Sequence, residues 1–252
     1  MSRTDKVIDS IKRMILEGVL KPGDRLPVEK ELAESLGVSR GSLREGISAL
    51  SLLGVVNTRQ GDGTYVTKLD VTRLLAPMGF VIDLEGRGNA QHVHTVRRIL
   101  ECEAAWSAAS RITDEALAET RELLDDVNRI ADQTPQDHER VIEIDIHFHR
   151  IIAVHSGNPV LAGLIDAFAG RTVRARLWRS LHEEGADRRT HEEHLAIWKA
   201  LKARDPERAR LRMANHLIGV EEALHNLPDD PSPVPGQTDR PVAEPAGPAV
   251  EG

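Results

Sequence analysis

The sequence predicts a mainly α-helical protein in which three short helices and a β-hairpin precede an all-helical bundle. Aromatic residues make up only 3% of the 252 residues, so the core must consist largely of Leu, Ile, Val and Ala, a composition that favours helices. Apolar residues recur at helical spacing over most of the chain, and a strand-like pattern appears only after Gly54. The length is sufficient for two domains of ordinary size.

The net charge of −7 is distributed unevenly along the chain. Residues 1–68 carry 11 Lys and Arg against 9 Asp and Glu, whereas the remaining residues carry 22 against 31. A mildly basic N-terminal unit joined to an acidic body is expected of a DNA-binding domain with a separate sensor domain. The overall acidity argues against a protein that coats nucleic acid indiscriminately.

Cysteine content and hydropathy exclude several classes of protein. The single cysteine, Cys102, cannot form an intramolecular disulfide and has no second thiol for a CxxC site. The N-terminal residues contain no apolar run of signal-peptide type, and no uninterrupted apolar span reaches the length of about 20 residues that a membrane helix needs. We therefore expect a cytoplasmic protein with no membrane partner.

The first two helices are predicted from apolar periodicity and turn residues. In DKVIDSIKRMILEGVL, residues 5–20, apolar side chains recur at helical spacing, and the turn at residues 21–24 is expected to end this helix. PVEKELAESLG predicts a second helix, with Pro27 at its start and Gly37 as its left-handed stop.

A third helix is predicted from about Arg40 to Leu53, with Ser39 as its N-cap. Arg40, Ser42 and Arg44 crowd into its first turns, which is unusual for a helix that only closes a core. Two short helices joined by a tight turn are the helix-turn-helix arrangement, in which the second helix enters the major groove with its N-terminal end first.

After this helix, VVNTR, QGDG and TYVT predict a β-hairpin, which would form a wing. Arg59, Gln60 and Gly61 lie at its predicted tip. The glycine allows close approach of the main chain to a sugar-phosphate backbone. Three helices and a hairpin in this order predict a winged helix-turn-helix domain.

The pattern from about Asp70 to Asn226 is helical almost throughout and predicts an antiparallel bundle of six or seven helices. The tail is rich in Pro and acidic residues and is expected to be disordered. The predicted divisions are a DNA-binding domain (1–68), a linker with the first bundle helix (69–91), the helical domain (92–227) and the tail (228–252).

Four residues of the bundle form a candidate metal site. Asp145 and His149 are four residues apart and therefore share one helix face, while His194 and His216 lie on two later helices. Isolated patterns of this kind are more often surface pairs or hydrogen-bonded core histidines. If the three helices converge, however, one carboxylate and three imidazoles suit zinc, or nickel or another borderline divalent ion.

The N-terminal segment resembles the winged helix-turn-helix regulators of the GntR family. The resemblance covers residues 18–66, through a PG turn, LP-x-E-x-ELA, LGVSR-x-x-x-RE and G-x-G-T-x-V. It implies double-stranded DNA as partner and assigns DNA contacts to Lys30, Ser39, Arg40, Gly41, Ser42, Arg44 and Gly61.

Three features depart from the family pattern. Val28 occupies the position of a frequent Ser, so the capping box with Glu31 is missing. Gly41 and Gly46 weaken the recognition helix, which we expect to be less rigid before DNA binds. Lys30 replaces a frequent Arg, which retains a phosphate contact but weakens bidentate base recognition.

The bundle resembles the FCD domain of the FadR-like branch of this family, through D-x-x-F-H followed by SGNP, then EH-x-x-I and M-x-x-HL. The resemblance implies that Asp145, His149, His194 and His216 bind a divalent metal beside a small carboxylate effector. Arg97, in an R-x-x-x-E segment, is a candidate partner of that carboxylate or a structural partner of Glu101. His147 and His191 are either groups next to the ligands or exposed side chains.

Together these features predict a bacterial, nucleoid-associated repressor that binds a palindromic operator as a homodimer and is released by an organic or sugar acid. The alternatives are a metal-dependent enzyme or a metal-ion sensor with an appended DNA-binding domain. No general base is evident beside the candidate ligands, so we predict no catalytic residues and no enzymatic activity.

Overall fold

The computed structural model describes residues 2–71, 73–75, 77–78, 90–131, 137–169, 177, 180–183 and 185–225. Its helices are α1 (Arg3–Leu16), α2 (Glu29–Leu36), α3 (Arg40–Leu52), α4 (Ala90–Ala109), α5 (Asp114–Ala131), α6 (His138–His155), α7 (Pro159–Ala169), α8 (Ala186–Lys202) and α9 (Pro206–His225). Strands β1 (Val56–Arg59) and β2 (Gly63–Val66) form an antiparallel pair. The predicted tail and residues 79–89 of the predicted linker lie outside the described residues.

The N-terminal residues form the predicted winged helix-turn-helix domain. Helices α1, α2 and α3 pack around an apolar core that the wing completes through Val56 and Val66. The wing is tied to the loop before α2, because the Leu26 amide donates a 2.8 Å hydrogen bond to the Thr64 carbonyl. The hairpin is therefore held at a fixed position beside α2 and α3.

Two helix boundaries differ from the sequence prediction. Helix α1 ends at Leu16, ahead of the predicted turn, because Gly18 adopts the left-handed conformation with φ of 73°. Helix α2 begins at Glu29, so Pro27 lies outside it, and its N-cap Val28 makes no side-chain hydrogen bond. Gly37 ends α2 in the left-handed conformation, as predicted.

Gly46 allows α1 and α3 to approach each other closely. A Cβ atom at this position would lie 2.6 Å from a methyl carbon of Val7, whereas a Cβ atom at Gly41 would meet only the Ser39 hydroxyl at 3.7 Å. The two glycines of the recognition helix therefore have different roles. Gly46 is required for core packing, and Gly41 is tolerated at an exposed position.

We expect Gly46→Ala to destabilise the protein by about 1–3 kcal/mol through overpacking. Gly41→Ala should leave stability unchanged or raise it by up to about 1 kcal/mol, since alanine loses less backbone entropy in a helix. Urea unfolding followed by circular dichroism measures both changes. The double variant V7A/G46A should recover part of the loss, and equal effects of the two single substitutions would contradict this account of the packing.

The bundle is organised around α4, which packs against α6, α7, α8 and α9. Arg98 pairs with Glu221 near one end of the α4–α9 contact and Glu103 pairs with Arg210 near the other, so these two helices are antiparallel. The core contains many small side chains from α4 packed against larger ones, including Phe148 and Leu201. Among the described residues, no helix combines the length and hydrophobicity needed to cross a bilayer.

Candidate metal centre and nucleic-acid interface

The start of α3 presents polar side chains to solvent and apolar ones to the core. Ser39 caps the helix, its hydroxyl accepting a 3.1 Å hydrogen bond from the Ser42 amide. Leu43 and Leu50 are buried in the domain core, whereas Arg40 and Arg44 are exposed to solvent. This arrangement leaves the two guanidinium groups accessible at the end of the helix that enters a major groove in this fold.

The structure places the predicted DNA contacts on the surface of the N-terminal domain. All are exposed except Ser42, which is half-buried, and Gly61 at the wing tip adopts φ of 75°. The sequence did not predict that Arg44 would be paired: its guanidinium lies 2.9 Å from a carboxylate oxygen of Glu29 in α2.

The candidate metal ligands come together inside the bundle. Helix α6 supplies Asp145 and His149, α8 supplies His194, and α9 supplies His216. All four residues are buried, and each offers one ligand atom within 4.8 Å of the others. The three helices therefore converge on one point in the bundle.

Three of the separations between the ligand atoms can be compared with those around a zinc ion. His194 Nε2 lies 3.3 Å from His216 Nε2 and 3.4 Å from Asp145 Oδ1, and His149 Nε2 lies 3.8 Å from the same oxygen. Ligands about 2.0–2.1 Å from a tetrahedral zinc ion stand about 3.3–3.4 Å apart. The two shorter separations match that spacing, and the donor set suits zinc or another borderline divalent ion.

Carboxylates outside this set orient two of the imidazole rings. His149 Nδ1 is hydrogen-bonded to Glu101 of α4, and His216 Nδ1 is 2.8 Å from Glu193 Oε2. Each ring thus donates from Nδ1 to a carboxylate, so that a neutral ring carries its lone pair on Nε2, the atom that faces the other ligands. Carboxylate–histidine pairs of this kind are typical of protein metal sites.

The electrostatics of the centre favour the metal-binding protonation states. Burial raises the pKa of Glu101, but the adjacent Arg97 guanidinium and His149 outweigh it and hold that pKa well below its usual value. Glu101 is therefore ionised at neutral pH. Burial lowers the pKa of His216 to about 4, although the hydrogen bond that its ring donates to Glu193 opposes the change. His216 is accordingly neutral, the form that binds a metal ion.

A pocket opens from solvent onto this centre. Its volume is about 520 Å³ including the part open to solvent, and Asp145, His149 and His216 lie in its wall. Arg97 also lines the pocket and at the same time pairs with Glu101, at 2.6 Å between Nη2 and Oε1. The structural pairing with Glu101 therefore forms, and the same guanidinium contributes positive charge to the pocket wall.

The two other candidate histidines differ from each other. His147 is exposed on the opposite side of α6 and lies 3.3 Å from Glu119. His191 is only 6% exposed, so the interpretation as an exposed side chain is wrong for this residue. Burial lowers its pKa, so the ring favours the neutral form.

The sequence interpretation missed several polar residues around the centre. Glu193 was not assigned, because its contact with His216 depends on how α8 and α9 pack. Asp187, Thr190 and Ser180 line the pocket. Asp187 and Thr190 lie seven and four residues before His194, and this helical spacing is the signal that would have identified them.

Glu193 is the better of the two orienting carboxylates to replace, because its side chain is one-third exposed. Its replacement therefore leaves no deeply buried charge without a partner. We expect Glu193→Gln to weaken binding of zinc by about 10–100-fold with little change in stability. Competition with a fluorescent zinc chelator measures the affinity. Glu192→Gln, at the adjacent exposed position, is the matched control and should leave the affinity unchanged. Equal affinities for all three proteins would show that Glu193 does not orient His216.

Comparisons with known proteins agree with this architecture. Residues 3–66 match the model of the bacterial regulatory proteins of the gntR family, and residues 92–219 match the FCD domain. The chain is 32% identical over 216 residues to the HTH-type transcriptional regulator LutR of Bacillus subtilis, covering 84% of this chain and 96% of that protein. It is 29% identical over 229 residues to the transcriptional repressor NanR of Salmonella schwarzengrund, covering 89% and 85% of the two chains.

Among solved structures, a GntR protein of Streptococcus agalactiae matches with a TM-score of 0.64 and 26% identity, over 87% of this chain and 99% of that one. These relatives are transcriptional regulators rather than enzymes, in agreement with the prediction from the sequence. The chain therefore belongs to the GntR family of bacterial transcriptional regulators and carries an FCD domain as its second domain.

Proposed function

We propose that this regulator is a repressor that binds a palindromic operator as a homodimer and is released by a small organic or sugar acid. The observation that supports the effector class is the pocket in the helical domain, where Arg97 and three of the four candidate metal ligands share one wall. With a divalent ion held by these ligands, the pocket would favour an anionic ligand with oxygen donors.

In this proposal Asp145, His149, His194 and His216 hold one divalent ion, with zinc as the first choice. The ion supplies a positive charge that attracts a carboxylate oxygen. The chain orients the ligands through Glu101 and Glu193, limits the access of water by burying the cluster, and places the guanidinium of Arg97, paired with Glu101, in the pocket lining.

In the N-terminal domain, Arg40 and Arg44 read base edges in the major groove. Lys30 contacts the sugar-phosphate backbone from α2. Ser39, Gly41 and Ser42 do so from the start of the recognition helix, and Gly61 from the wing. One winged domain makes few contacts, whereas two copies match a two-fold operator.

Sedimentation equilibrium should give a mass near twice the 27.8 kDa of one chain. A monomer at micromolar concentration would contradict this part of the proposal.

The effector acts by shifting the population between arrangements that do and do not bind DNA, so its affinity must differ between them. The proposed domain limits are residues 1–68 for DNA binding and 92–227 for the effector. As a DNA-bound regulator the protein would act at the bacterial nucleoid in the cytoplasm.

Calorimetric titration tests the effector site. A panel of hydroxy acids, dicarboxylic acids and sugar acids is titrated into zinc-loaded protein and into protein stripped by a chelator. We expect one acid to bind the zinc-loaded form at least about tenfold more tightly, since the ion adds a charge in a partly desolvated site. The methyl ester of that acid, which lacks the charge, is the control. Equal binding of acid and ester, or equal binding with and without zinc, would contradict the proposed site.

A further inference from the structure

Arg44 and Glu29 form an ion pair that joins the recognition helix to α2. Both Nε and Nη2 of Arg44 lie 2.9 Å from the same oxygen, Oε2 of Glu29. The two side chains are 68% and 45% exposed, and ion pairs at such exposure contribute little to stability. The pair therefore has little effect on the stability of the fold, and its main effect is on the arginine side chain.

The contact orients the guanidinium. An arginine side chain is long and samples many rotamers, and its five N–H donors form a planar fork. Glu29 engages the edge of that plane formed by Nε and Nη2. The other edge, formed by Nη1 and Nη2, has the two-donor geometry that matches O6 and N7 of guanine.

The backbones of both residues of the pair lie in helices. Glu29 is the first residue of α2, and the backbone of Arg44 is held in α3, which begins with the Ser39 cap. A negative charge beside a DNA-binding surface weakens attraction to phosphates, so Glu29 lowers non-specific affinity. The orientation of Arg44, by contrast, affects the recognition of bases and leaves non-specific affinity for phosphates unchanged.

We propose that Glu29 is a positioning residue for base recognition, which holds Arg44 in the orientation that reads a guanine. This inference rests on the proposed contact between Arg44 and a base. Glu29 itself does not contact a base. By orienting Arg44, it improves the discrimination between base pairs at one operator position per subunit.

The test uses the full chain and a fluorescein-labelled duplex recovered from a random-sequence library by selection with the wild-type protein. Affinities are measured by anisotropy for this duplex, for variants with each guanine replaced in turn, and for a scrambled duplex. We expect Glu29→Ala to lower discrimination at one guanine position roughly tenfold, the size of a partial loss of a bidentate contact. Affinity for the scrambled duplex should stay the same or rise.

Glu31→Ala is the matched control, because Glu31 is an exposed glutamate in the same first turn of α2. It removes the same charge and should leave discrimination unchanged. Circular dichroism and thermal unfolding establish that both variants fold. Discrimination lost equally in both variants, or retained in E29A, would overturn the inference.

A double-mutant cycle with Arg44→Ala separates this inference from the proposed base contact. We expect R44A to lose discrimination at the same position and E29A to have no further effect on it in the R44A background. If R44A retains discrimination, the proposed contact between Arg44 and a base is wrong. If R44A loses it while E29A alone keeps it, only the positioning role of Glu29 is wrong.

Discussion

Replacing both Arg40 and Arg44 by alanine should abolish sequence-specific DNA binding while the helical domain remains folded. Each arginine that reads a guanine edge contributes about 1–3 kcal/mol of discrimination, so the double variant should lose roughly 30-fold to 10⁴-fold in affinity for its operator. Both side chains are exposed, so their loss leaves the core intact. Anisotropy on the selected duplex measures the loss, and circular dichroism confirms the fold.

A charge-matched control separates base recognition from general electrostatic attraction. Arg188 and Arg212 are exposed arginines of the helical domain, and replacing both by alanine changes the net charge equally. This control should retain operator affinity. Sequence-specific binding that persists in the Arg40 and Arg44 double variant would disprove the assigned recognition surface.

His149→Ala should abolish tight binding of zinc and with it the stabilisation that the ion gives the bundle. At a zinc concentration 1,000 times the dissociation constant, binding stabilises a folded protein by about 4 kcal/mol. For a chain of this size, about 2–4 °C of Tm corresponds to each kcal/mol, so chelation should lower the wild-type Tm by roughly 8–16 °C. Differential scanning calorimetry with and without chelator measures the shift.

In His149→Ala the same chelator should have no effect on the Tm. His147→Ala is the control, since His147 lies on the same helix and is about half exposed, and this variant should behave like the wild type. A wild-type Tm that does not respond to chelation, with no zinc retained after purification, would contradict the proposed centre. Retained zinc that exchanges within minutes would favour ion sensing over a resident cofactor.

The architecture was largely predictable because it depends on local signals. Apolar periodicity and Gly37 defined α2 and its end, and the glycine-rich turn before Thr64 defined the wing. The end of α1 was misplaced, since nothing in its apolar pattern marks Gly18 as a left-handed residue. Gly46 was interpreted as a weak point of the helix, whereas the packing of α1 on α3 requires it.

The candidate site was predictable only in part. The shared face of Asp145 and His149 follows from helix geometry, His194 and His216 were candidates on later helices, and the resemblance to the FCD domain implied that the four residues bind one metal ion. The contacts of Glu193 with His216 and of Glu29 with Arg44 join different helices. Such contacts depend on the relative placement of packed helices, which the spacing along one chain does not define.

The most direct test of the proposed regulator is fluorescence anisotropy of the purified protein on its own upstream DNA, with a scrambled duplex of equal composition. The titration is repeated after chelation and with each acid of the panel. We predict tight binding to the upstream duplex that one acid releases only when the metal is present. Tight binding that every acid leaves unchanged, or release that is equally strong after chelation, would contradict the link between the metal centre and the DNA-binding domain.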